Sequence, residues 1–121
     1  MGATQAQRLV VCRLDDQRFA LPVAAIDRVL PAMAYRRPSQ PQAWLHGAVE
    51  VHGVVVPVLD IRRRLCLLPR EPQPADMFVL ATSGGRPVGF FVDAVEDVGD
   101  ASPAVPVHDL DRLFPLQPGM P

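Results

Sequence analysis

The sequence contains no lysine: its 12 basic residues are all arginine, set against 13 acidic ones for a formal net charge of -1. That deficit reads as a composition bias rather than a functional device. The arginines are spread from Arg8 to Arg112, and a near-neutral chain of this kind lacks the basic footprint of a nucleic-acid binder. The one basic run, Arg62, Arg63 and Arg64, is expected to be the solvated face of a turn. Catalytic signatures are missing too: there is no GxSxG, HExxH, P-loop or GxGxxG. Histidine occurs at 46, 52 and 108, and with Cys66 these positions match no standard metal spacing, so no metal, cofactor or enzyme activity is expected. Cys12 and Cys66 stand far apart with no CxxC, which predicts buried free thiols. No apolar run approaches the roughly 20 residues of a membrane helix. Met1 to Gln7 is polar, unlike a secretory leader, so a cytoplasmic location is expected.

What the chain does have is apolar mass. Of its 121 residues 49% are hydrophobic and 21% charged, with a mean hydropathy of +0.14, which predicts one packed domain rather than disorder. The stretch from Trp44 to Leu65 organises it. Two valine-rich runs, Ala48 to Val51 and Val54 to Leu59, flank His52-Gly53 and predict a hairpin, while Ile61 to Leu65 predicts a short amphipathic turn leaving it. Before it, Leu9 to Leu14 and Arg18 to Leu21 bracket Asp15-Asp16-Gln17 as a first hairpin. Pro22 then opens a helical turn, and Asp27 to Leu30 resumes an extended run. Tyr35 to Pro41 reads as a surface connector and Leu68 to Ala75, with three prolines, as a loop. After that loop, Met77 to Thr82 and Pro87 to Val92 form a third hairpin around Gly84-Gly85, which Asp93 to Val98 is expected to extend. From Gly99 onward the prolines exclude a central strand or a long helix. Leu110, Leu113 and Phe114 have the spacing of one amphipathic turn that docks on the rest.

Asp27, Asp60 and Asp93 each follow an apolar residue at intervals of 33 (60 − 27 and 93 − 60), a faint echo that suggests a repeat of small β units. Asp60 and Asp93 are expected to cap turns where strands end. With no reaction centre in view, a binding module is the leading class, acting through exposed apolar patches and a few fixed charges.

Taken in order, RFALPVAAIDRVL, then the Trp44 to Leu65 stretch with its Gly47, Gly53, Pro57 and Asp60 frame, then PVGFFVDAVEDV resemble the CheW-like family of bacterial chemosensory coupling proteins. The likeness spans residues 9–98, and its middle motif is the most specific part. It implies an all-β fold of two small SH3-like β-barrel subdomains, the first incomplete. It also implies a single CheW-like domain over 1–121, whose proline-rich segment 99–121 carries a short helical turn at 108–114. In function it implies a noncatalytic adaptor that joins a chemoreceptor cytoplasmic tip to a CheA-type histidine kinase regulatory domain, or to another CheW-like protein.

The partner-binding positions the resemblance implies are Ile26, Arg28, Glu50, His52, Gly53, Met77, Gly89 and Val95. Three of them depart from the family pattern, which has Glu at Arg28, Asn at Glu50 and Arg at His52. If Glu50 and His52 share a strand face, an Arg28–Glu50 pair of reversed polarity would form there; the alternative is that all three are exposed replacements. A contact through His52 would titrate near neutral pH, unless His52 is simply an exposed turn residue. The family's closing C-terminal hairpin is missing from this sequence. The first barrel would then expose a strand edge that the tail shields or a second molecule fills, which predicts a homodimer or a strand-swapped assembly. The rival reading, from another class, is a small-molecule or nucleotide-sensing β-barrel.

Overall fold

The structure, a computed structural model, describes residues 8–40, 42, 44–99 and 105–110. Its strands follow the β-branched and aromatic runs, and its turns fall where the sequence supplies residues tolerant of positive φ. In order the elements are β1 (Leu9–Leu14), β2 (Gln17–Pro22), a 3₁₀ turn (Val23–Ala25), β3 (Ile26–Pro31), β4 (Leu45–Val51), β5 (Val54–Leu59), α1 (Ile61–Arg64), β6 (Met77–Ser83), β7 (Arg86–Val92) and β8 (Ala94–Gly99). Two turns are two residues long with both residues left-handed, His52 (φ 50°) and Gly53 (φ 79°) between β4 and β5, and Gly84 (φ 59°) and Gly85 (φ 77°) between β6 and β7. That is the backbone a type I′ hairpin turn needs.

The strands make two sheets, one of five in the order β3-β6-β7-β5-β4 and one of three in the order β2-β1-β8. The five-stranded sheet curls into a small barrel, closed beyond its formal edge by the chain after β3. The Arg36 N–H donates to the Ala48 carbonyl at 2.8 Å, and the Ala48 N–H donates back to Arg36 at 2.9 Å. Gly47 permits this approach, because a Cβ there would lie 1.8 Å from the Arg36 carbonyl oxygen.

Two apolar cores result. Val49, Val56, Val58, Phe78 and Phe91 fill the barrel. Val10, Cys12, Phe19 and Leu21 of the smaller sheet meet Leu59, Val79, Val88 and Phe90 of the larger one and Ile61 of α1 in the layer between them. Consecutive residues such as Phe90 and Phe91 therefore serve opposite faces, and strands covered on both sides read as continuous apolar runs rather than alternating ones.

The chain after Val92 does not extend β7. Asp93 breaks the strand, and β8 crosses to the other sheet to pair with β1, Leu9 opposite Gly99 and Arg13 opposite Ala94. The bend is where Asp93 meets a set of arginines, a tertiary cause with no local signal. Among the described residues no strand follows β8, which is an edge of the smaller sheet. Its β2 edge is strapped instead: Val107 bridges Ala20 in parallel, the Ala20 N–H donates to the Pro106 carbonyl at 2.8 Å, and the His108 N–H donates to Ala20 at 2.9 Å. Leu110 anchors this strap in the inter-sheet core at 2% exposure; Leu113 and Phe114 lie outside the described residues.

Candidate functional site

Among the described residues two groups of polar side chains bear on the site. The first lies between the sheets. Arg62 of α1 is 6% exposed. It donates through both terminal nitrogens to Asp15, at 3.0 and 2.9 Å, and through Nη2 to Asp93 at 2.8 Å. Asp93 also accepts from the Asp15 N–H at 2.7 Å and from Arg70, and Arg70 reaches Asp76 at 3.0 Å. Burial alone would raise the Asp93 pKa, but the Asp15 N–H and the two guanidiniums outweigh it and hold the carboxyl below the usual range. The same carboxylates raise Arg62 despite its burial. The group is satisfied internally, and it ties α1, the β1–β2 turn and the β7–β8 bend together. The arginine run is thus a solvated face only in part, with Arg63 exposed and Arg62 buried. Arg62 turns inward, while Arg63 and Arg64 lie over the Trp44 ring at 5.9 and 5.8 Å, placed by Asp60, whose carboxylate caps α1 by accepting the Arg63 N–H at 3.1 Å.

The second place is the rim of the barrel, at the tip of the β4–β5 hairpin. Along β5, Val56 and Val58 are fully buried, whereas Val54 and Val55 are 51% and 67% exposed. Val55 pairs with Glu50 and Val54 with Val51. Arg28, on β3, reaches across to this tip, its Nη1 lying 3.4 Å from His52 Nε2. An Arg28 N–H can donate there only to a neutral imidazole whose proton sits on Nδ1. Beside the tip, Tyr35, Arg36, Ala48, Glu50 and Val55 line a groove of about 490 Å³.

The expected contact residues are therefore not one cluster. Arg28, Glu50, His52 and Gly53 stand together at the rim. Ile26 and Val95 pack against the inter-sheet core. Met77 opens β6 between Pro31 and Val92, and Gly89 is buried in β7, where a Cβ would lie 2.0 Å from the Phe78 ring. The expected Arg28–Glu50 pair does not form: among the described residues Arg28 meets His52, not Glu50. The reason is the turn, since His52 leaves the strand with a left-handed φ and no longer shares the strand alternation of Glu50. The thiols differ as well, Cys12 being buried and Cys66 exposed, because Cys66 sits beyond α1 with a left-handed φ of 61°. Sequence reasoning missed Val54 and Val55 as surface residues, since a valine run carries no mark of where a hairpin outruns its barrel.

The "CheW-like domain" family profile matches residues 8–104. The chain is 30% identical over 95 residues to the probable chemotaxis protein CheW of Rhizobium etli, covering 76% of this chain and 59% of that protein. It is 30% identical over 93 residues to chemotaxis protein CheW of Rhizobium meliloti, with the same coverage. Among solved structures, the scaffolding protein TtCheW from Thermoanaerobacter tengcongensis superposes with a TM-score of 0.73 at 19% identity, over 84% of this chain and 66% of that one. The chain spans about three-fifths (59%) of the length of these two curated relatives.

Proposed function

Because the chain belongs to the CheW-like domain family, we propose that it is a noncatalytic adaptor in bacterial chemosensory signal transduction. Its partners on this reading are a chemoreceptor cytoplasmic tip, a CheA-type histidine kinase regulatory domain, or another CheW-like protein. The observation that carries the reading is the division of polar groups. Asp15, Arg62, Arg70, Asp76 and Asp93 are consumed in holding the two sheets together, while the barrel rim keeps exposed valines beside Arg28. An apolar patch with fixed charges is what a protein-binding surface offers.

Co-purification tests it: the full chain, mixed with a CheA-type regulatory domain or a receptor cytoplasmic tip from the same bacterium, is expected to retain at least one of them. Retention of neither would overturn the adaptor reading. A homodimer or strand-swapped assembly belongs to the same proposal, since β8 has no outer neighbour among the described residues and an open edge invites pairing. A monomeric mass by light scattering over a wide concentration range would remove that part.

A further inference from the structure

The strap over β2 is held by few contacts, and one of them depends on the charge of a histidine. Among the described residues two backbone hydrogen bonds fix it to β2, from the Ala20 N–H to the Pro106 carbonyl at 2.8 Å and from the His108 N–H to the Ala20 carbonyl at 2.9 Å. Pro106 has no N–H to add to them. Side chains supply the rest: Leu110 is buried in the inter-sheet core, and the His108 ring packs on Phe19 with the ring centroids 5.8 Å apart.

The surroundings of His108 suit a neutral ring. Phe19 belongs to the inter-sheet core, and an imidazolium set against it would lose hydration with no counter-charge in return. Arg64 of α1 faces it with a like charge, and burial first and then Arg64 lower its pKa. On β2, Phe19 and Ala20 are apolar, while Arg18 leaves the opposite face from Phe19 and pairs with Glu96. The acid on the strap itself is Asp109, which is exposed. Among the described residues no carboxylate pairs with the His108 ring, whereas His46 has Asp60 at 3.6 Å.

We propose that residues 105–110 are a pH-sensitive latch, closed over the β2 edge while His108 is neutral and released when its ring takes up a proton. Release bares the Ala20 N–H and carbonyl on a strand edge and draws Leu110 out of the core. In the open form His108 is in water with an ordinary value of about 6.5, and in the closed form it binds protons less readily, so acid favours the open form. The closed form is fully favoured well above that pH. It loses up to about tenfold in population ratio per pH unit below it, until the closed form is protonated too. The carboxylates that join the sheets titrate lower, so the latch opens while the sheets stay together. The inference is independent of the adaptor reading.

Hydrogen exchange of the full chain tests it, followed by NMR between about pH 7.5 and about pH 5, across the histidine range, with each rate divided by the intrinsic rate at that pH. Protection of the Ala20 amide is expected to fall about fivefold or more, while amides inside β6 and β7 keep theirs. His108→Gln stays neutral throughout and is expected to give a flat Ala20 profile. The slope is what is read, so looser packing in that variant does not blur the result. Arg64→Gln removes the like charge and is expected to shrink the fall. In the parent the His108 ring signal is expected to titrate below about 6.5. An Ala20 profile that is flat in the parent, or that falls equally in His108→Gln, overturns the latch, and so does a ring that titrates at or above that value. An equal fall at the β6 and β7 amides overturns it as well, since acid would then be loosening the whole fold.

Discussion

Asp93 accepts one backbone and two guanidinium hydrogen bonds from three separate segments, and few side chains in the molecule hold together so much chain. Replacing it with alanine leaves Arg62 and Arg70 short of an acceptor next to the core, a loss expected to cost about 3 kcal/mol of stability, readable as a shift in the urea midpoint. Its depressed pKa also sets a pH dependence. The unfolded carboxyl, near 3.9, binds protons before the folded one does, so this stabilisation is complete well above pH 4 and is lost as the pH falls through the folded value. Denaturation midpoints between pH 7 and pH 3 are expected to drop for the parent and to drop less for Asp93→Asn. The motif carrying Asp93 and a capping role for its carboxylate were legible in the sequence, but the crossing to the other sheet was not, since Asp93 to Val98 was expected to extend β7. The arginine partners of Asp93 were not legible either, because Arg62 stands in a charged triplet that looks solvated until the fold brings Asp15 to it from 47 residues away.

At the scale of elements, local chemistry predicted the three hairpins and their turns, and long-range pairing decided what it could not. The valine runs, Gly84-Gly85 and the Asp60 cap all act within a few residues of themselves. The crossing of β8 and the strap over β2 depend on partners far along the chain and leave no local pattern. Gly47 is a single residue with an element-scale effect. Alanine there would collide with the Arg36 carbonyl, so Gly47→Ala is expected to open the barrel seam and lose about 3 kcal/mol, measurable in the thermal midpoint. The strap makes a different prediction. Leu110→Ala removes its anchor in the core, at a cost of about 3 kcal/mol, and frees the β2 edge. The Ala20 amide, bonded to Pro106 in the parent, is expected to exchange with solvent faster than amides inside β6 and β7. Unchanged protection of Ala20 would show that the strap holds without its anchor.

The whole molecule behaves as one unit if the inter-sheet core is what couples its parts. Phe90 on the larger sheet and Cys12 on the smaller share that core, both fully buried, so neither sheet can open without exposing the other's apolar face. Two built-in probes report the two halves separately. Trp44 is half-exposed beside α1 and Arg63 and Arg64, and its fluorescence follows the barrel side. Cys12 lies in β1, where burial pushes its thiol pKa up to about 12, so it stays unreactive until the smaller sheet opens. In a Cys66→Ser background, which removes the exposed thiol, Cys12 labelling and Trp44 fluorescence are expected to report the same urea midpoint, as a two-state unit requires. Phe90→Ala, expected to cost about 4 kcal/mol, should lower both midpoints together. Labelling of Cys12 well before the fluorescence change would mean that the three-stranded sheet detaches on its own.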